Sequence, residues 1–149
     1  MQLVPAEAAH IADLAGRLRA IDRAECAAMG RTGAQALRHG LLASARAWTA
    51  LIDGEPHAMF GVVVESAATG DAIPWFLGSD KVARHGRLLI RLGPVILARM
   101  HRHGRALRNF VSCDNRQAIR LLELWGFFVE PEPVIVRQAA FRRFIRETI

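Results

Sequence analysis

The chain has 149 residues, of which 52% are hydrophobic, enough for a buried core and too apolar for an intrinsically disordered segment. Its formal net charge is +6, and every basic residue except Lys81 is an arginine. The arginines run from Arg17 to Arg146 without gathering into one block, so a nucleic-acid partner is not expected, whereas a small phosphorylated ligand needs far less basic surface.

Leu3 and Val4 read as a short first strand, with Pro5 near the start of a helix, where its missing N–H does no harm. AEAAHIADLAGRLRA is then helical, with Ala8, Ile11, Ala12, Ala15 and Leu18 on one face. DRAECAAMG reads as a second helix, capped by Asp22 and closed by Gly30, and AQALRHGLLAS as a third short helical turn. Two strands joined at Asp53-Gly54 follow, a sequence suited to a tight hairpin. GDAIPWFLGSD gives a third strand, in which Pro74 signals an edge or a local distortion. Ser79 is placed to cap a single turn over SDKVARH. Arg87 to His103 is the longest helical stretch, and Gly93-Pro94 should kink or divide it. ALRNFVS is a strand. DNRQAIRLLELWG is a helix with Asp114 as its cap and Gly126 at its end, and FFVEPEPVIV and QAAFRRFIRE are two closing strands.

This order implies one α/β (α+β) domain over residues 1–149, with a mixed, mostly antiparallel sheet flanked by helices. The longest apolar runs are too short to span a bilayer, and the N-terminus lacks a basic start followed by an apolar block, so neither a membrane span nor a signal peptide is expected. Cys26 and Cys113 show no metal-ligand spacing, which fits reduced thiols in an intracellular setting. His101 and His103 stand two apart and cannot share a helical face, so no metal site is expected there.

The element order resembles that of the GNAT superfamily of N-acetyltransferases. Locally the resemblance is carried by Asn115, Ala118, Ile119, Leu121, Trp125, Gly126 and Phe127, similar to the N-x-x-A helix that ends in Gly-Phe in that superfamily. A narrower resemblance links Ile73–Val82 and Ala106–Phe127 to GNAT-like proteins of short-tailed bacteriophages, some of which are internal virion (core) proteins; Asp22, Glu25 and Trp48 are also similar to that family. The resemblance implies a GNAT-like fold and acetyl-CoA as cofactor. It further implies an amine or protein as acceptor, and a phage or prophage source. The location implied is the host bacterial cytoplasm or the interior of a virion, with other virion proteins as partners if the fold serves as a non-catalytic scaffold.

The resemblance also names site residues. The cofactor would meet Leu77, Gly78, Arg84, His85, Gly86, Arg87 and Asn115, with its pyrophosphate on the loop from Lys81 to Arg87. Lys81-Val-Ala-Arg84-His85-Gly86-Arg87 carries one glycine where the superfamily's Q/R-x-x-G-x-G/A loop carries two, and Arg84, His85 and Arg87 are placed to compensate with charge. Many relatives use a tyrosine on the last helix as the acid for the leaving thiolate. This sequence has no tyrosine, and Leu122 stands at the matching position. Cys113, Ser112 or a water could take that role, and Glu65, Asp71 or His57 could act as base, although no spacing singles out any of them.

Overall fold

The computed structural model describes residues 1–148. Its elements in chain order are β1 (Gln2–Pro5), α1 (Ala8–Ala15), α2 (Ala20–Ala28), α3 (Gly33–Ala43), β2 (Arg46–Ile52), β3 (Glu55–Ser66), β4 (Asp71–Gly78), α4 (Asp80–Ala83), α5 (Gly86–His101), β5 (Ala106–Ser112), α6 (Arg116–Leu124), β6 (Phe128–Val136) and β7 (Ala139–Glu147). The strands form one sheet in the order β1-β2-β3-β4-β5-β7-β6. Every neighbouring pair is antiparallel except β4 and β5.

The hairpin at Asp53-Gly54 forms as its sequence predicts: both residues have positive φ (52° and 78°), the geometry of a two-residue turn whose twist matches the strands it joins. Alternation along the strands then divides the side chains between two helical layers. On one face Trp48, Phe60, Val62, Ala72, Leu107 and Val111 pack against Ile96, Leu97 and Met100 of α5, with Ile119 of α6 in the same cluster. Phe60 is stacked between Trp48 and Phe76, at centroid separations of 5.6 and 5.8 Å. On the other face Met59 packs with Ile11, Leu14, Leu18 and Leu37 of the α1–α3 layer.

Several elements differ from the sequence expectation. The first helix stops at Ala15, and its buried residues are Ile11 and Leu14; Ala8 and Ala12 are exposed. Pro5 ends β1 rather than starting a helix. Leu18 lies between helices and forms an isolated bridge with Ser79. The third helix is longer than a single turn, spanning Gly33–Ala43 behind a Thr32/Gln35 capping box. Asp22 does not cap α2. It lies inside the first turn and is buried, while Arg19 holds the cap position. Asn115, not Asp114, caps α6, its Oδ1 accepting from the Ala118 N–H at 3.3 Å.

Pro94 does not divide α5, which runs unbroken from Gly86 to His101. The carbonyl that loses its partner belongs to Ile90 one turn back, a residue 39% exposed, so water can reach it. Gly93 serves packing: a Cβ there would fall 2.5 Å from Trp125 Nε1, and that indole N–H donates to the Leu89 carbonyl at 3.1 Å. The absence of a side chain at Gly93 lets the end of α6 seat against α5.

Candidate functional site

The sheet opens between β4 and β5. They pair only at Asp71–Ala106 and Ala72–Leu107, near the start of both strands, and then part. The sequence explains where. The Gly70 carbonyl accepts from the Ala106 N–H at 3.0 Å, so alternation turns the backbone groups of residues 72, 74, 76 and 78 towards β5. Residue 74 is proline, so the ladder lacks the donor it needs to continue. The Asn109 side chain reaches across instead, its Nδ2 donating to the Pro74 carbonyl at 2.8 Å. Pro74 is thus the local distortion its position in the sequence suggested, within an interior strand.

Beyond that bridge the opening is spanned a second time, by α2. The buried Asp22 carboxylate accepts from the Gly78 N–H at 2.9 Å and from Arg19 Nη2 at 2.8 Å, and the Arg19 N–H donates to the Gly78 carbonyl at 3.0 Å. On the β5 side Glu25 Oε1 accepts from Asn115 Nδ2 at 2.8 Å and from the Ser112 N–H at 3.4 Å. Between the two bridges lies Phe76, whose N–H and C=O face the gap by the same alternation, with no β5 residue paired opposite.

A mostly apolar cavity of about 230 Å³ adjoins this gap, bounded by Phe76, Val82, Gly86 and Leu89 on one side and by Ala118 and Leu121 of α6 on the other. Arg19 and Gln117 also line it, the Arg19 Nη1 donating to Gln117 Oε1 at 3.1 Å. At its rim α5 begins. His85 supplies no side-chain cap, and the N–H groups of Gly86, Arg87 and Leu88 precede the first intrahelical donor, Leu89 N to His85 O at 3.0 Å. A Cβ at Gly86 would meet nothing within 4 Å, so the space before this helix start is open. Arg84 and Arg87 are exposed beside it.

Burial and chemistry separate the titratable groups. Burial pushes the Glu25 carboxyl above the ordinary carboxylate value, and the neighbouring Asp22 adds to this; the hydrogen bonds from Asn115 and Ser112 and the charge of Arg19 oppose it. Burial, with Asp22 and Glu25 close by, raises the Cys26 thiol to about 11, so it stays protonated and unreactive at neutral pH. His57 is buried, with Nδ1 2.8 Å from Ser79 Oγ, and burial together with the charges of Arg17 and Lys81 lowers its pKa.

The predicted site residues are distributed as follows. Gly86, Arg84, His85 and Arg87 do meet at the start of α5, although the His85 ring is turned back onto the Lys81 carbonyl at 2.9 Å. Gly78 stands at the gap, but its N–H is already held by Asp22. Leu77 is one residue out of phase: its backbone faces β3 and its side chain packs in the α1/α3 layer. Asn115 is 4% exposed and committed to the helix cap and to Glu25, so it positions other groups.

The three catalytic candidates lie elsewhere. Glu65 is exposed near the end of β3 and Asp71 starts β4 beside Thr69 and Arg108, so both occupy the opposite end of the hairpin from Gly78. Gly78 lies seven positions along β4 from Asp71, on the order of 23 Å away. Cys113 follows β5 but donates its N–H to Ala140 of β7 and lines a groove on the far side of α6, with Arg116, Glu123 and Arg142. His57 lies beside Ser79, under the α1/α3 layer. Ser112 Oγ is occupied by the Asp114 N–H at 3.2 Å. Sequence reasoning gave Glu25, Phe76 and Gln117 no role. Of these, Glu25 carried a readable signal: Asp22, Glu25 and Cys26 share one helical face, an acidic strip on the side turned inward. Among the described residues no cluster of His, Cys, Asp or Glu has the arrangement of a metal site, and no helix is long and apolar enough to cross a membrane.

Known structures share this architecture. The aminoglycoside acetyltransferase AAC(6')-Ib in complex with ribostamycin and coenzyme A superposes with a TM-score of 0.69 at 16% identity, covering 98% of this chain and 92% of that one. The fold is that of the GNAT acetyltransferases. An acetyltransferase of the GNAT family from Streptococcus pneumoniae matches with a TM-score of 0.65 at 12% identity, covering 99% of both chains. A ribosomal-protein-alanine N-acetyltransferase from Brucella melitensis matches with a TM-score of 0.68 at 12% identity, covering 99% of this chain and 100% of that one. No protein-family model matches the sequence, and no curated protein matches it by sequence. The GNAT resemblance read from Asn115–Phe127 therefore agrees with the three-dimensional likeness, and the similar structures named here are acetyltransferases rather than virion proteins.

Proposed function

We propose that this protein is an acyl-CoA-dependent N-acyltransferase, with acetyl-CoA as donor and a primary amine as acceptor. The observation that carries the reading is the gap Pro74 opens between β4 and β5, leading into an apolar cavity that ends at an uncapped helix start flanked by arginines. Each part fits a different portion of acetyl-CoA. The free N–H groups of Gly86, Arg87 and Leu88, the positive end of the α5 dipole, and Arg84 and Arg87 suit a pyrophosphate. Val82, Leu89, Ala118 and Leu121 suit the pantetheine chain, and the gap-facing N–H and C=O of Phe76 suit its amide groups. When bound, acetyl-CoA supplies an acyl thioester. Phe76, Val82, Leu89, Ala118 and Leu121 exclude water from it, while Asp22 and Glu25 hold the two strand ends at a fixed separation. Solved structures of one similar protein, AAC(6')-Ib, in complex with coenzyme A or acetyl-CoA support the same reading.

Calorimetric titration with CoA tests it. Saturable binding should weaken by about tenfold for Arg84→Ala with Arg87→Ala, from loss of roughly 1.4 kcal/mol, and should fall with salt. Unchanged affinity in the double variant would remove the pyrophosphate from this helix start.

The narrower phage reading is a proposal about source and location, supported by the segments Ile73–Val82 and Ala106–Phe127 and by Leu122 in place of an acid. On it, the protein is made in a bacterial host and packaged with other virion proteins, where the fold acts as a scaffold. Mass spectrometry of purified particles tests this, and absence of the chain from them would end it.

A further inference from the structure

We propose that Glu25 is the proton acceptor for the incoming amine, with Asn115 and the Ser112 N–H as the groups that position it. The inference rests on the acyltransferase reading above, and the structure carries it in three ways.

The first is place. Glu25 projects from α2 to the end of β5, where its carboxylate meets Ser112 and the Asn115 cap on the β5 side of the gap. The second is the division of labour between its two oxygens. Both hydrogen bonds, from Asn115 Nδ2 and the Ser112 N–H, fall on Oε1, and neither uses Oε2. One oxygen is anchored and the other is free to take a proton. The residue is half-buried, so it is both shielded and reachable. The third is the contrast with its neighbours. Asp22, the other carboxylate of α2, is 2% exposed and fully engaged by Arg19 and Gly78. Glu65 and Asp71 are at the wrong end of the sheet. Burial also holds the Glu25 carboxyl above the ordinary range, which makes it a stronger base than a solvated carboxylate.

In the step itself the amine nitrogen forms a bond to the thioester carbonyl carbon, and its surplus proton passes to Glu25 Oε2. The C–S bond breaks, and the sulfur leaves with the electron pair as thiolate, which takes a proton from solvent. Leu122 offers no acid for that last transfer. Glu25→Gln removes the base while preserving an acceptor oxygen for Asn115 and Ser112.

The test combines three measurements on the full chain. Carbon-13 NMR of glutamate-labelled protein, compared with Glu25→Gln, should assign to Glu25 a carboxyl that titrates above the ordinary range. Glu25→Gln should bind CoA within about threefold of wild type. Thiol release from acetyl-CoA should be followed between pH 5 and 9 with water, glycine amide, lysine or a tripeptide as acceptor. It should fall by about 100-fold or more in the variant, with loss of the acidic limb of its pH profile. An ordinary titration for Glu25, or a variant that keeps the wild-type rate and limb, would overturn the assignment. So would wild-type protein that binds CoA yet releases no thiol with any acceptor, which would leave the cleft reading standing. Absence of CoA binding in both proteins would instead reject the cleft reading and, with it, this role.

Discussion

Replacing Asp22 with alanine should cost far more than removal of a surface charge. The carboxylate is 2% exposed and accepts three hydrogen bonds, from Arg19 Nη2 at 2.8 Å, Arg19 Nε at 3.3 Å and the Gly78 N–H at 2.9 Å. Alanine leaves the Gly78 N–H without its acceptor, a loss of about 1–3 kcal/mol. It also takes from the Arg19 guanidinium its only carboxylate among the described residues; that side chain is only 12% exposed and keeps the Gln117 contact. Breaking a buried pair from one side costs about 3–5 kcal/mol in total. A domain of this kind is stable by about 5–15 kcal/mol, so the variant should lose roughly a fifth or more of its stability. Asp22→Asn keeps one acceptor oxygen for the Gly78 N–H but loses the charge and the oxygen that meets Arg19 Nη2, so it should cost less than alanine without being neutral. Urea denaturation followed by tryptophan fluorescence measures both. A loss below about 1 kcal/mol for Asp22→Ala would place this pair with exposed ion pairs and refute its role in holding α2 to β4.

Three further outcomes follow from named contacts. Gly93→Ala should lower the melting temperature: the new Cβ overlaps Trp125, an overpacking cost of about 1–3 kcal/mol, larger than the ~1 kcal/mol gained in helix propensity. A stabilised variant would show that α5 and α6 do not meet there. Glu25 should make the fold less stable as pH rises. Its folded pKa is raised above the ordinary 4.5, so the folded state binds the proton more tightly, and stability falls from about that pH upward through the folded value. Glu25→Gln should flatten this window in denaturation curves taken between pH 4 and 8, whereas an unchanged slope would assign it to other groups. His57 has the opposite sign: its lowered pKa favours the neutral ring, so stability should fall as pH drops below the ordinary 6.5, and His57→Gln should lessen that fall.

Local signals in the sequence located most elements. Asp53-Gly54 marked a hairpin because only a few residues tolerate positive φ at both turn positions. Asn115, Gly126 and the apolar spacing between them marked α6, and the positive φ of Gly126 closes it. The misplaced details concern capping: Asp114 and Asn115 are neighbours with equally suitable chemistry, whereas α2 starts at Arg19, three residues before Asp22, with no side-chain cap at all. Pro94 misled for a different reason: the carbonyl it leaves unpaired is close enough to solvent for the helix to continue.

The site was less legible because its contacts are distant in sequence. Glu25 meets Asn115 across ninety positions and Asp22 meets Gly78 across fifty-six, and no periodicity encodes either pairing. Glu65 and Asp71 are carboxylates on β3 and β4, and residue type alone does not say which end of a strand faces the cavity. Strand direction sends them to the other end of the sheet, a consequence of topology rather than of residue type. The Arg84–Arg87 segment was readable because anion binding at a helix start is a local property of the chain.

The central claim is that the opening beside Pro74 binds acyl-CoA, and calorimetric titration with acetyl-CoA tests it most directly. The account predicts saturable, salt-sensitive binding that weakens when Arg84 and Arg87 are replaced together. No heat and no thermal shift at millimolar acetyl-CoA would contradict it.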